Sequence, residues 1–241
     1  MEYSHFKEHT DRVVESCSRV IVGKEETVRL IFISFLCSGH VLLEDVPGTG
    51  KTMLLKAFAR TVGSGFKRIQ FTPDVVPSDV TGFTMYEKQT GRFIYRPGAV
   101  MCNMLLADEI NRTSSKTQAA LLEVMEEGKV TVDNETHPVP QPFVVIATEN
   151  PTGSSGTQML PESQLDRFMI SLSMGYPDHE NLVELLRDRQ TKNPLENAKA
   201  VITKEEVVML QDQVQKVYMA DSILNYIATL AEATRNHPMI T

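Results

Sequence analysis

The sequence contains few cysteines, and their spacing predicts neither a disulfide framework nor a metal site. The three cysteines of this 241-residue chain, Cys17, Cys37 and Cys102, are far apart, and no two of them form a C-x-x-C pair. A zinc ribbon and a redox-active cysteine pair both depend on that spacing, so neither is indicated. We therefore expect three reduced thiols, as in a cytosolic protein.

Long hydrophobic runs are also missing from the sequence. The longest apolar run, residues 30–37, is interrupted by Ser34, whereas a membrane-spanning helix needs about 20 apolar residues. The first residues, M-E-Y-S-H, are polar and lack the basic-then-apolar order of a signal peptide. These features predict a cytoplasmic protein with no membrane span.

Basic residues are fewer than acidic ones. The chain has 24 Lys+Arg against 31 Asp+Glu, a formal net charge of −7. This balance disfavours a protein whose affinity comes from neutralising DNA phosphates, although a local basic patch would be compatible with it. The 41% of hydrophobic and 23% of charged residues are ordinary globular values. At roughly 100–200 residues per domain, the length predicts one large domain, or one domain and a small appendage.

Apolar strands alternate with helices through the first part of the chain. Strands are predicted at residues 41–43, 68–71, 104–107, 143–147 and 169–172. Helices are predicted at residues 6–20, 25–36, 53–61 and 115–127. Near-continuous apolar strands that alternate with helices indicate an α/β fold with a parallel sheet covered on both faces. Two further segments, residues 83–95 and 130–139, have the alternation and turn residues of hairpins.

The pattern becomes purely helical after residue 176. Helices are predicted at residues 181–190, 203–217 and 221–235, with a loop around Pro194. We therefore predict two units, an α/β core with N-terminal helices at residues 1–176 and a small helical appendage at residues 177–241.

The sharpest chemical signal follows the first predicted strand. Residues 45–52 read D-V-P-G-T-G-K-T and match the phosphate-binding pattern G-x-x-x-x-G-K-[ST], except that Asp45 replaces the first glycine. Glycines allow backbone N–H groups to surround phosphates, and the following helix presents its positive N-terminal end. Lys51 is expected to reach the β- and γ-phosphates of ATP, and the Thr52 hydroxyl to bind Mg²⁺. The predicted nucleotide-binding residues of this loop are Pro47, Gly48, Thr49, Gly50, Lys51, Thr52 and Met53.

A later predicted strand, residues 104–107, ends at two carboxylates, Asp108 and Glu109. A carboxylate at the end of a strand beside a phosphate loop can hold Mg²⁺ through the water shell of the ion. A second carboxylate next to it can polarise the attacking water. We predict that Asp108 is the Mg²⁺ ligand and contributes to nucleotide binding, and that Glu109 is the catalytic base.

Two other polar residues lie beside predicted strands. Asn150 follows an apolar strand, and its amide could orient the attacking water, although Asn150-Pro151 taken alone equally indicates the start of a turn. Arg167 precedes a strand and could supply a guanidinium to the nucleotide of a neighbouring subunit. Taken alone, Asp166 and Arg167 would be a solvated charge pair.

Taken together, these motifs resemble the MoxR family of AAA+ ATPases over nearly the whole chain. The matching segments are F-T-P-D at 71–74, P-S-D-V-T-G at 77–82, P-G-T-G-K-T at 47–52, D-E-I-N-R at 108–112, A-T-E-N-P at 147–151 and L-D-R-F at 165–168. The resemblance implies a AAA+ P-loop NTPase core, with hairpin insertions at about residues 84–98 and 129–140. It also implies that Asn150 is sensor 1, that Arg167 is the arginine finger, and that Val22 and Gly23 line the adenine pocket.

The resemblance further implies a helical lid with a second sensor arginine. The residues up to Thr241 contain no such motif, so we expect a partial lid, a weaker hold on the nucleotide and weaker ring assembly.

The function implied by the resemblance is ATP hydrolysis with Mg²⁺ in a homo-oligomeric ring, expected to be a hexamer. The ring would remodel or mature protein clients, in some cases with a partner that contains a von Willebrand factor A domain. A nucleic-acid motor is the first alternative, disfavoured because the hairpins hold few basic residues, namely Lys88, Arg92, Arg96 and Lys129. A nucleotide-dependent binding scaffold with little turnover is the second, and the intact Glu109 argues against it.

Overall fold

The computed structural model of the chain describes residues 3–44, 48–149, 160–188 and 194–237. Its helices are α1 (Tyr3–Ser18), α2 (Glu25–Leu36), α3 (Lys51–Thr61), α4 (Pro77–Thr81), α5 (Ser115–Glu127), α6 (Glu162–Leu165), α7 (His179–Asp188), α8 (Lys204–Val214) and α9 (Asp221–Asn236). Its strands are β1 (Val41–Glu44), β2 (Phe66–Gln70), β3 (Gly82–Glu87), β4 (Arg92–Pro97), β5 (Met104–Asp108), β6 (Lys129–Val132), β7 (Glu135–Pro138), β8 (Val144–Glu149) and β9 (Ile170–Leu172). Single 3-10 turns lie at Ile110–Arg112 and Pro194–Asn197.

A five-stranded sheet in the order β2-β5-β8-β1-β9 forms the centre of the fold, and all of its strand pairs are parallel. The register places Glu44 opposite Glu149, and Gln70 opposite Asp108. The carboxyl ends of these four strands therefore meet at one edge of the sheet. In open α/β sheets that edge is where ligands bind.

Apolar side chains cover both faces of the sheet. One cluster joins the sheet to α1, α2 and α3, where the ring of Phe58 makes edge-to-face contacts with Phe32 and Phe35 at centroid distances of 6.2 and 6.0 Å. The other cluster joins the opposite face to α5 and to Phe168. The predicted parallel sheet with two covered faces is thus confirmed.

A buried histidine ties α5 to the sheet. The Nδ1 atom of His40 accepts a hydrogen bond from the Val145 backbone N–H at 3.0 Å, so the proton lies on Nε2, which donates to the Met125 carbonyl at 3.0 Å. Burial lowers the pKa of His40, which keeps the ring neutral. The C-terminal turn of α5 is therefore fixed to β1 and β8.

Both predicted hairpins are present, as the antiparallel pairs β3-β4 and β6-β7. The second turns at Asp133 and Asn134, whose φ angles of 49° and 67° are typical of a tight hairpin turn. The rings of Tyr95 and His137 stack at 3.9 Å and join the two hairpins.

The helices after β9 differ in how they pack. Helix α8 begins with the expected capping box between Thr203 and Glu206 and shares the first core, in which Val207 and Leu210 are fully buried. The Gln211 side chain also donates to the Phe35 carbonyl of α2 at 2.6 Å. By contrast, the described side chains of α9 are all exposed. The division of the chain at residue 176 stays a prediction.

The loop predicted around Pro194 was wrong in part, because Pro194–Asn197 forms a 3-10 turn. Leu195 is buried in the first core, and its carbonyl accepts a hydrogen bond from Arg60 of α3, so tertiary packing orders the segment. None of the described helices is long and apolar enough to cross a bilayer. All three cysteines are free thiols, as expected, and burial raises the pKa of Cys17 and of Cys102 to about 11.

Candidate functional site

The glycine loop leads directly into α3. Gly48 and Gly50 have φ angles of +90° and +89°, which L-residues with a side chain rarely adopt. Among the described residues, apart from each glycine's neighbours in the chain, no atom lies within 4 Å of a Cβ atom added at either glycine, which leaves open space in front of the loop there. Gly50 caps α3 without any side-chain hydrogen bond. The positive N-terminal end of α3 therefore follows the loop directly, an arrangement that favours an anion.

The first residues of α3 lie at the surface, and the rest of the helix enters the core. Lys51, Thr52 and Met53 are partly exposed, whereas Leu54 and Leu55 are buried. Lys51, predicted to contact the phosphates, and Thr52, predicted to bind Mg²⁺, thus both lie beside the open space. Pro47, also predicted to bind nucleotide, lies outside the described residues.

Asp108 lies at the carboxyl end of β5, with hydrogen bonds to both carboxylate oxygens. Its Oδ1 accepts from the Thr148 hydroxyl at 2.6 Å, and its Oδ2 accepts from Nη2 and Nε of Arg68 at 2.7 and 3.2 Å. The Asp108 side chain is only 13% exposed. Thr148 and Arg68 therefore fix the orientation of this carboxylate, and its role as the Mg²⁺ ligand stays a prediction.

Glu109, the predicted base, has a left-handed backbone with φ 56° and ψ 51°. This conformation costs a non-glycine residue about 1–2 kcal/mol and is common at functional sites. It directs the carboxylate to Gln70 and Arg112, whose side chains donate to Oε2 at 2.9 and 2.8 Å. Within the described ranges no donor contacts Oε1, so this oxygen can accept a proton from water.

Thr148 joins the two carboxylate residues. Its hydroxyl donates to Asp108 and accepts a hydrogen bond from the Glu109 backbone N–H at 2.8 Å. This one buried side chain therefore fixes both the orientation of the proposed metal ligand and the unusual backbone of the proposed base.

We expect Thr148→Val, which keeps the shape of the side chain, to remove both hydrogen bonds. Leaving a buried N–H without a partner costs about 1–3 kcal/mol, so the variant should unfold at a lower temperature and any ATP turnover should fall. Thr148→Ser keeps the hydroxyl and serves as the control. Differential scanning fluorimetry and phosphate release measure the two effects. Equal behaviour of the valine and serine variants would contradict the proposed role.

Four residues of the site were not predicted from the sequence, namely Arg68, Gln70, Arg112 and Thr148. Arg68 and Gln70 are two positions apart on β2, so both side chains leave the same face of the strand. The register of β2 against β5 then places Gln70 opposite Asp108. No local pattern encodes that register, although the polar residues Arg68 and Gln70 in a predicted strand were a signal that could have been used.

Two other predicted site residues precede α2 in the chain. Val22 and Gly23 are partly buried between α1 and α2, where a Cβ atom on Gly23 would lie 2.4 Å from the Asn181 amide of α7. The φ of +71° at Gly23 favours glycine there, while the adenine-pocket role of both residues remains a prediction. Asn150 lies outside the described residues.

Arg167 does not contact the other candidate site residues in the described part of its own chain. Its Nη1 donates to the Leu122 carbonyl at 3.1 Å and forms an ion pair with Glu126, both on α5. This placement is compatible with the prediction that Arg167 acts on a neighbouring subunit.

Glu149 is a buried carboxyl beside the site. It is 3% exposed, its Oε1 accepts from the Leu160 N–H at 3.2 Å, and Glu44 lies opposite it in the sheet. Burial raises the pKa of Glu149, and the charge of Glu44 raises it further. The folded state therefore binds this proton more tightly than the unfolded state does, and stability falls as pH rises through the window between the ordinary and the raised pKa.

We expect Glu149→Gln to stabilise the protein at neutral pH, because the amide keeps the hydrogen-bond acceptor and carries no charge. Below the ordinary pKa of a carboxyl group the substitution should have little effect. Thermal unfolding over a pH series measures the difference, with the exposed Glu135→Gln as control. A stabilisation that is the same at every pH would show that the charge of Glu149 is not the cause.

The chain is similar to several known proteins over most of its length. Residues 40–170 match the model of the ATPase family associated with various cellular activities (AAA). YeaC, an uncharacterized protein of Bacillus subtilis, is 52% identical over 229 residues, which cover 95% of this chain and 72% of YeaC. The chaperone MoxR1 of Mycobacterium tuberculosis is 40% identical over 228 residues, which cover 94% of this chain and 60% of MoxR1.

A solved structure shows the same fold. It is that of a candidate ATPase from Cytophaga hutchinsonii, with a TM-score of 0.87 at 37% identity, and the match covers 95% of this chain and 70% of that one. The α/β ATPase fold predicted from the sequence is therefore confirmed. The chain spans less than two thirds of the length of MoxR1.

Proposed function

Because the chain belongs to the MoxR family of AAA+ ATPases, we propose that it hydrolyses ATP with Mg²⁺ in a homo-oligomeric ring, a hexamer, whose neighbouring subunits share each active site. The observation that supports this most directly is the meeting of two features at one edge of the sheet. One is the start of α3 behind Gly48 and Gly50, where no side chain forms a capping hydrogen bond with Gly50 as the N-cap. The other is the hydrogen-bonded group of Asp108, Thr148 and Glu109.

Each feature has a part in the proposed reaction. The backbone N–H groups of the loop and the Lys51 ammonium bind the phosphates, and Thr52 and Asp108 hold the metal site. When bound, Mg²⁺ supplies charge neutralisation at the β- and γ-phosphate oxygens. Glu109 accepts the proton of the attacking water, and Asn150 orients that water. Arg167 of the neighbouring subunit stabilises the negative charge on the transferred phosphoryl group.

We propose that the work done by the ring is the remodelling or maturation of client proteins, as the name of the chaperone MoxR1 suggests. The β3-β4 hairpin supports protein clients because it exposes Phe83, Met85, Tyr86 and Phe93, the last at 74%. Exposed aromatic and thioether groups suit apolar segments of proteins. A partner with a von Willebrand factor A domain is part of the same proposal.

Lys51→Ala tests the nucleotide site. A hydrogen bond from a charged group contributes about 1.5–3 kcal/mol, so we expect the affinity for a fluorescent ATP analogue with Mg²⁺ to fall by about 10- to 100-fold. Lys56→Ala, on an exposed position of the same helix, is the matched control. Unchanged binding by the Lys51→Ala variant would contradict the assignment of the site.

A further inference from the structure

Two contacts to α5 fix the guanidinium of Arg167. The backbone carbonyl of Leu122 accepts from Nη1 at 3.1 Å, and the Glu126 carboxylate pairs with the same nitrogen. Leu122 and Glu126 are one helical turn apart, so both acceptors lie on one side of α5. Because buried His40 holds the Met125 carbonyl, this end of α5 is anchored to the core.

The remaining edge of the guanidinium faces open surface. An arginine has five N–H donors in a planar fork, and the contacts within the described chain use only Nη1. Two surface cavities, of about 360 and 330 Å³, each include Arg167 and Glu126 in their lining. No contact to the edge formed by Nη2 and Nε comes from the described ranges, which suits this edge to a group from outside the subunit.

Several carboxylates surround Arg167, and Glu126 differs from the others in its contact with the guanidinium. Glu123, Glu127 and Asp166 also line the two cavities, but of these four carboxylates only Glu126 contacts the guanidinium in the described structure. The Arg167 and Glu126 side chains are 37% and 62% exposed. An ion pair this exposed contributes roughly 0–1 kcal/mol to stability. Glu126 therefore contributes little to the stability of the fold. A weak contact is nevertheless enough to orient a long, flexible side chain such as that of Arg167.

We propose that Glu126 is a positioning residue for the arginine finger. It holds Nη1 against the end of α5, so that the Nη2–Nε edge meets the γ-phosphate bound by the neighbouring subunit. The inference rests on the proposed function, in which Arg167 acts between subunits. It extends that function by naming the residue that aims the guanidinium.

The test uses mixed rings that separate the finger from the pocket. Arg167→Ala subunits keep an intact pocket, and Lys51→Ala subunits keep an intact finger, so activity is recovered at interfaces between the two. Glu126→Ala is then added to the Lys51→Ala donor, and Glu123→Ala is added to a second donor as the matched control. Both substitutions lie in subunits whose own pocket is impaired by Lys51→Ala, so a change in the recovered activity reports the finger.

We expect the Glu126→Ala donor to restore less activity than the plain donor, on the order of 10- to 100-fold less, as displaced catalytic groups do. The loss should lie in kcat, with an unchanged KM for ATP. The Glu123→Ala donor should restore full activity, and a Glu126→Gln donor, which keeps the acceptor oxygen without the charge, an intermediate level. Mass measurement of the rings confirms that each donor is incorporated.

The outcomes distinguish a failure of the positioning role of Glu126 from a failure of the shared active site. Equal recovery with the Glu126→Ala and Glu123→Ala donors would overturn the positioning role and leave the shared site intact. If the plain mixture recovers no activity in rings shown to mix, the shared site itself is wrong, and the positioning role is rejected with it. If the Glu126→Ala donor fails to fold, the Glu126→Gln donor tests the positioning role by itself. Recovery equal to that of the Glu123→Ala control would then exclude that role.

Discussion

Replacing Glu109 with glutamine is expected to abolish ATP hydrolysis and to leave ATP binding nearly unchanged. The amide has almost the shape of the carboxylate but cannot accept the proton of the attacking water. A positioned general base contributes about 10²- to 10⁴-fold to a rate, so phosphate release should fall by that factor. The phosphate contacts are made by the loop and α3, and equilibrium binding of a fluorescent ATP analogue should therefore persist.

A second glutamate provides the control for this prediction. Glu135 is exposed on β7, and Glu135→Gln should hydrolyse ATP at the rate of the unmodified protein. Phosphate release by the Glu109→Gln variant at that same rate would remove Glu109 from the role of base. Loss of ATP binding together with hydrolysis would instead indicate that Glu109 supports the fold of the site.

The same variant distinguishes protein clients from nucleic acid. A ring that binds ATP and does not hydrolyse it should retain what it acts on. We expect the ring to retain protein, since the hairpin with exposed Phe93 carries few basic residues and the net charge of the chain is −7. Retention of DNA with a strong dependence on salt would favour the nucleic-acid motor.

Replacing Arg167 with alanine is expected to produce the second large effect. An arginine supplied to the transferred phosphoryl group contributes about 10³–10⁵ to the rate in related reactions, so kcat should fall by a factor in that range. Because the side chain is 37% exposed, folding and ATP binding should change little. Steady-state phosphate release and thermal unfolding measure the two quantities.

Arg19 offers a control of the same residue type. It is exposed in the turn that follows α1 and paired only with Glu15 among the described residues, so Arg19→Ala should retain full turnover. A similar kcat for the Arg167→Ala variant and this control would show that Arg167 takes no part in the reaction.

Patterns of neighbouring residues predicted the longer helices and the buried strands. Helices α2 and α5 begin and end where their apolar spacing and the flanking Gly128 indicated. The buried strands β1, β5 and β8 were recognised because both of their faces are apolar. Short elements were missed: four or five residues, as in α4 and α6, are too few to show a helical repeat.

The site residues that belong to short sequence motifs were predicted. Those that reach the site through contacts between strands were missed. Gly48, Gly50 and Asp108 could be read from motifs at strand ends. Thr148 and Gln70 reach the site only through the parallel register of β8 and β2 against β5, which is set by tertiary packing. The ion pair of Arg167 with Glu126 likewise joins residues that are distant in sequence.

The most direct test of a shared active site is the specific ATPase activity as a function of protein concentration, followed together with molecular mass. If each site needs Arg167 from a neighbour, the activity per subunit should be negligible for monomers, rise as the oligomer forms and then reach a plateau. The Arg167→Ala protein should stay inactive over the same range. An activity per subunit that is constant from monomer to oligomer, or absent in the assembled ring, would contradict the account.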